Sequence, residues 1–189
     1  LAGHCNQVLG IGCALHVVPM RDWQRSMLWC DTGRAWVPPS PNLPRFEGAL
    51  VYPGQVLLEG TNLSEARGTT TPFEQFGAPW IDARTLAEAL PRIEGAVLRP
   101  VCFEPTFQKW AGQACHGLFV HVTDMRTFRS YRLTLLILRE LRRLHGEKLA
   151  WNDPPYEYEE TLRPIDILAG GPRVRNCVDD NLSDAELIE

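Results

Sequence analysis

No run in the 189-residue chain approaches the roughly 18 consecutive apolar residues that a membrane-spanning helix needs, so no membrane span is expected. The six cysteines (Cys5, Cys13, Cys30, Cys102, Cys115, Cys177) form no CxxC pair and no zinc-like grouping with histidine. A structural metal is therefore not expected, and nothing calls for a cofactor. Their even number permits disulfides without requiring them, because isolated cysteines in a chain of this size commonly serve as small buried hydrophobes. The GxSxG elbow, the P-loop, GxGxxG and HExxH are all missing, which removes the cheapest readings as an esterase, nucleotide hydrolase or metallopeptidase. An acyl hydrolase built on Ser40 or Ser64 with His121 would lack the elbow that such enzymes use. There is no excess of positive charge either: the formal net charge is -4 and the pI about 5.8. That argues against a nucleic-acid partner, and the arginines between Arg126 and Arg143 read as the solvated face of a helix. The first ten residues, LAGHCNQVLG, lack the basic start and long apolar core of a signal peptide, and they read as the interior of a larger protein. No internal repeat is visible.

What is present suits a globular domain. A hydrophobic share of 44% with 22% charged residues is typical of soluble folds, and the length suits one substantial domain better than two. Residues 1–9 read as the tail of a helix closed by Gly10 and Gly12. Cys13 to Val18 (CALHVV) then reads as a short strand ended by Pro19, and Trp23 and Trp29 as core residues. Four prolines between Cys30 and Pro44 dictate a long stiffened loop. A turn is expected at Pro53 and Gly54, followed by a short strand or helical turn that delivers Glu59 to its end. Asp82 is placed to cap a helix running to about Leu90. Strands follow over Ala96–Phe103 and Leu118–Val122. The clearest helix is Thr127–Leu144, whose Phe128, Leu133, Leu135, Ile137, Leu138 and Leu141 recur at helical spacing and mark it as the cover of a sheet. Trp151–Glu160 reads as a loop, Leu162–Ala169 as a short helix, and Ser183–Glu189 as a last one. The expected class is α/β in the broad sense, a mixed α+β domain with a short mixed sheet covered by helices.

The chemistry concentrates in LEGTNLSEARGTTTPFEQFGAPW, from Leu58 to Trp80. Two acids (Glu59, Glu65), an amide (Asn62), a guanidinium (Arg67) and hydroxyls including Thr69 and Thr70 directly follow an apolar run. Such residues also build ordinary turns. Phe73, Phe76, Pro79 and Trp80 nevertheless hem them in, as the walls of a small-molecule pocket do. These groups suit a sugar, since carboxylates and amides bond hydroxyls, arginine can clamp a carboxylate, and an aromatic ring covers a pyranose face. Glu104, in the second polar segment EPTFQKW, and His121, beside Asp124, are further candidates. Glycoside cleavage generally takes a carboxylic acid on one side of the ring and a carboxylate on the other. Glu59 and Glu65 are the catalytic candidates, and Asn62, Arg67, Thr69, Thr70, Trp80, Glu104 and His121 the binding ones. An ion pair between Glu65 and Arg67 that merely stiffens the loop, leaving Glu59 to meet substrate, is equally physical.

The strings VPPSPNLP, ALVYPGQVLLEGTNLSEARGTTTPFEQFGAPWID, RPVCFEPTFQKWAGQACHG and HVTD resemble signature blocks of the exo-β-N-acetylmuramidases of the DUF1343, NamZ-like family. The resemblance runs from about His16 to Gly170. It implies a bacterial glycoside hydrolase of peptidoglycan recycling that releases N-acetylmuramic acid from non-reducing ends, in a periplasmic or secreted setting. It further implies two subdomains, a Rossmann-like one and a second α/β one with the cleft between them, and this chain resembles the second. A missing N-terminal subdomain then becomes a partner, and the chain by itself is expected to form one wall of a cleft. The muramic lactyl carboxylate would offer Arg67 a bidentate partner. The competing class is a glycan-binding or scaffold module without catalysis.

Overall fold

The structure, a computed structural model, describes residues 1–183 and Glu186. The helix expected over 183–189 lies outside the described residues except at Ser183 and Glu186. Where one domain is expected, the chain forms two compact units, Leu1–Trp36 and Val37–Glu189.

In the first unit, α1 (Ala2–Val8) ends as expected, with Gly10 and Gly12 both at positive φ. The strand expected at 13–18 does not form, and that run is exposed. A β-forming composition needs an edge to pair with, and none of its backbone groups finds one. Trp23 is 51% exposed and so is not a core residue. Trp29 and Trp36 are half-buried and meet edge to face, with ring centroids 5.7 Å apart.

The second unit runs α2 (Phe46–Gln55), a 3-10 turn (Val56–Gly60), β1 (Gln75–Ala78), α3 (Ala83–Ala89), β2 (Ala96–Phe103), β3 (Cys115–Val122), α4 (Ser130–His145), α5 (Pro164–Ala169) and α6 (Arg173–Asp179). The sheet order is β1-β3-β2 and both pairings are antiparallel, so the expected mixed sheet is an antiparallel one within a mixed α/β fold. Asp82 caps α3 by accepting the backbone N–H groups of Arg84 and Thr85. β2 has the bounds that its composition indicates. α4 starts three residues later than expected because Arg129 is non-helical (φ -123, ψ 87), and Gly146 closes it as expected. Leu133, Leu136, Ile137 and Leu141 of α4 are almost wholly buried, each contributing about 1.5–3 kcal/mol relative to exposure. They share one core with Leu86 of α3 and with Leu118 and Val120 of β3. All six cysteines are free, and Cys115 and Cys177 are buried.

No turn forms at Pro53 and Gly54, which lie inside α2. Gly54 lets α2 press against α4: its N–H donates to Ser130 Oγ at 2.8 Å, and Ser130 Oγ donates in turn to the Val51 carbonyl. The helix then tightens into the 3-10 turn, which drives Leu57 and Leu58 into the core and leaves Glu59 partly buried at its end. Between the strand and the helical turn left open by the sequence, the helical turn is the one that forms.

Candidate active site

Glu59 is held from four directions. Its Oε1 accepts from Arg67 Nη2 and its Oε2 from the Tyr156 hydroxyl at 2.7 Å. Its carbonyl accepts from Asn152 Nδ2 at 2.8 Å and more distantly from Lys109 Nζ at 3.5 Å. Glu65, whose side chain is 3% exposed, accepts from Arg67 Nε at 2.9 Å on one oxygen and from Lys109 Nζ at 3.1 Å on the other. Lys109 also donates to the Leu58 carbonyl at 2.8 Å. One guanidinium therefore bridges both candidate carboxylates, with its Cζ over the Phe73 ring, 5.0 Å from the ring centroid. These side chains line a cavity of about 320 Å³ together with Gln108 and Glu157.

The local charges follow from this packing. Burial lowers the Lys109 ammonium from its ordinary value, and the pull of Glu65 only partly restores it. Burial also works against the Arg67 guanidinium, but the bond and charge of Glu59, and then those of Glu65, carry it above the usual value. The Tyr156 phenol is pushed well up by burial and then by its bond to Glu59, so it stands as a neutral donor.

Backbone strain marks the same place. Seven non-glycine residues among those described have positive φ, and five of them line the site or adjoin residues that do: Ala66 (59°), Phe73 (64°), Gln108 (65°), Trp110 (61°) and Glu157 (53°). Ala66 lies between Glu65 and Arg67, Gln108 and Trp110 flank Lys109, Glu157 follows Tyr156, and Phe73 supports Arg67. Each such conformation costs about 1–3 kcal/mol and persists only where the surroundings over-determine it, a pattern typical of active sites and ligand clamps. A larger recess of about 530 Å³ beside α3 and β2 is lined mainly by backbone turns and apolar residues, with Arg92 and Glu94 its charged members. It has no comparable network.

Other candidates are placed elsewhere. Asn62 bonds the backbone of the 148–150 segment, donating to the Lys148 carbonyl at 2.8 Å and accepting from the Ala150 N–H at 3.1 Å. It thus fastens the loop, with both ends of its amide engaged. Thr69 donates to the Ala66 carbonyl at 2.7 Å and accepts from Gln75, while Thr70 is exposed. Trp80 packs on His145 with ring centroids 5.2 Å apart and sits against the core, and Phe76 is wholly buried. Of the expected aromatic wall, only Phe73 reaches the site. Glu104 is exposed and does not line the cavity. His121 accepts from Arg99 Nε at 3.1 Å and stacks on Phe119. Ser64 accepts from the Ala66 N–H and has no histidine partner. The residues that sequence reasoning missed are Tyr156, Asn152 and Lys109. Lys109 was visible in EPTFQKW, but Tyr156 and Asn152 lie more than ninety residues from Glu59 in a loop that carries no motif.

Residues 50–189 match the family described as exo-beta-N-acetylmuramidase NamZ, C-terminal, a match that covers most of the chain. The chain belongs to the NamZ family. Residues 1–47 match its N-terminal counterpart, so the junction between the two NamZ regions falls within this sequence. The chain is 37% identical over 190 residues to the peptidoglycan beta-N-acetylmuramidase NamZ of Bacillus subtilis (strain 168), covering 100% of this chain and 44% of that protein. It is also similar in structure to a DUF1343 family protein from Bacteroides fragilis NCTC 9343, with a TM-score of 0.79 and 27% identity over 93% of this chain and 46% of that one. The chain thus spans less than half the length of either relative.

Proposed function

We propose that this chain is part of a glycoside hydrolase, an exo-β-N-acetylmuramidase that releases N-acetylmuramic acid from the non-reducing ends of peptidoglycan fragments. The observation that supports this most is the convergence of Glu59 and Glu65 on Arg67 in a concave, strained site of a NamZ-family chain. Because the two carboxylates share one guanidinium, they stand side by side on one wall. Glycoside cleavage needs carboxyl groups on both sides of the sugar, so the opposing group is assigned to a part of the parent protein outside this chain. Within this wall Glu59 is the better catalytic candidate, being the more accessible of the two and the one coupled to Tyr156. Glu65 is the anchor of the site. The proposed setting is the bacterial cell wall, with the enzyme periplasmic or secreted.

In the full-length parent, Glu59→Gln is expected to lower kcat on a chromogenic N-acetylmuraminide by about 100-fold or more, with a cooperative thermal melt showing that folding is retained. One observation favours a second reading, a glycan-binding module: all four carboxylate oxygens of Glu59 and Glu65 already have partners within the chain. Binding of the sugar by the wild-type parent without any turnover would favour that module over the enzyme.

A further inference from the structure

The hydrogen-bond inventory of the cavity restricts which part of a sugar can occupy it. A phenol has one proton to give and lone pairs to accept with. The Tyr156 proton is committed to Glu59 at 2.7 Å, so Tyr156 can offer a ligand only its lone pairs. Whatever it contacts must donate. By formal charge the cavity is lined by three carboxylates, Glu59, Glu65 and Glu157, and two cations, Arg67 and Lys109. That is a formal excess of one negative charge. Both cations are already paired with carboxylates: Arg67 through Nε with Glu65 and through Nη2 with Glu59, and Lys109 with Glu65, its ammonium also donating to the Leu58 carbonyl. An arriving carboxylate would enter a site with that formal excess of negative charge, whose two cations already have carboxylate partners, and like-charge juxtaposition is costly. Taking up a hydroxyl or amide N–H asks for no charge compensation.

We propose that Tyr156 is a specificity-determining residue that accepts a hydrogen bond from a neutral donor on the sugar, a ring hydroxyl or the acetamido N–H, and that this cavity does not hold the sugar's carboxylate. The inference rests on the glycan reading above and deepens it. It replaces the carboxylate clamp at Arg67 with a structural role for that side chain, and it moves recognition of the lactyl group out of this pocket. Glu59 polarises the phenol, and the chain from sugar donor to Tyr156 to carboxylate strengthens link by link.

The test uses the full-length parent and isothermal titration with N-acetylmuramic acid, N-acetylglucosamine, and a set of analogues of each in which one hydroxyl is removed or the acetamido nitrogen methylated. Tyr156→Phe keeps the ring and removes the acceptor. It is expected to weaken both natural sugars by the same factor, about tenfold. For the one analogue that lacks the contacted donor, wild type and Tyr156→Phe should bind equally. A loss confined to the lactyl-bearing sugars would overturn the proposal by placing the carboxylate at this cavity. An equal loss on every analogue would overturn it by reducing Tyr156 to a structural support, and so would no loss at all. Failure of the wild-type parent to bind any of these sugars would overturn the glycan reading itself, an outcome separable from the other three because it appears before any substitution is made.

Discussion

Truncating Glu65 to alanine is expected to lower folding stability by about 3–5 kcal/mol, the range found when one member of a buried charge pair is removed. Its side chain is 3% exposed, and it neutralises two cations that are themselves mostly covered, Arg67 at 19% and Lys109 at 23%. Alanine would leave both nitrogens without that acceptor. Lys109 suffers more, since burial already disfavours its charged form and Glu65 is the main influence opposing this. Glu65→Gln keeps an acceptor and should cost distinctly less. Urea unfolding at constant slope measures both. A loss below about 1 kcal/mol for Glu65→Ala would mean that the network is solvated and relaxed rather than buried and required.

Gly117→Ala is expected to do at least comparable damage by a different route. Gly117 of β3 stands opposite Gly77 of β1, and a Cβ there would lie 2.7 Å from Gly77 Cα and closer still to the Phe76 carbonyl oxygen. Both obstacles are backbone, so no rotamer change relieves them. β1 would have to separate from β3, and with it would go the neighbouring bridge in which Ser64 pairs with Gly77 and which leads into Glu65. The cost is placed above about 3 kcal/mol, at the upper end of overpacking. Thermal melts together with the soluble yield would check it. A variant that melts within a few degrees of wild type would show that the β1 to β3 contact is looser than its geometry indicates.

Residues that answer to local rules were legible in the sequence. Asp82 as a cap, β2 over Ala96–Phe103, the apolar stripe of α4 and the glycine stop at Gly146 each depend on a few adjacent side chains. Tertiary contacts decided the rest. Pro53 and Gly54 look like a turn, yet they sit in a helix packed on α4, where Ser130, 76 residues away, receives the Gly54 N–H. Residues 13–18 have strand composition but no partner edge. At the site, the cluster of Glu59, Glu65 and Arg67 could be read from one dense polar stretch. Asn62 reads as a ligand group because an amide can bond a sugar, whereas in the structure that amide ties down the 148–150 backbone. Tyr156 could not be found from local pattern at all. It reaches Glu59 across 97 positions, and the strained residues that hold the site together, such as Gln108 and Trp110, are not the glycines that announce positive φ.

The most direct measurement is a nuclear magnetic resonance titration of the full-length parent with N-acetylmuramic acid, following the Tyr156 ring, the Arg67 Nε–H and the Lys109 ε-methylene. If the wall formed by Glu59, Glu65, Arg67, Lys109 and Tyr156 faces a sugar, the three signals shift together and saturate with one apparent Kd. Three unmoved signals at saturating sugar, with shifts confined to other surfaces such as the recess around Leu90 and Ala96, would contradict it.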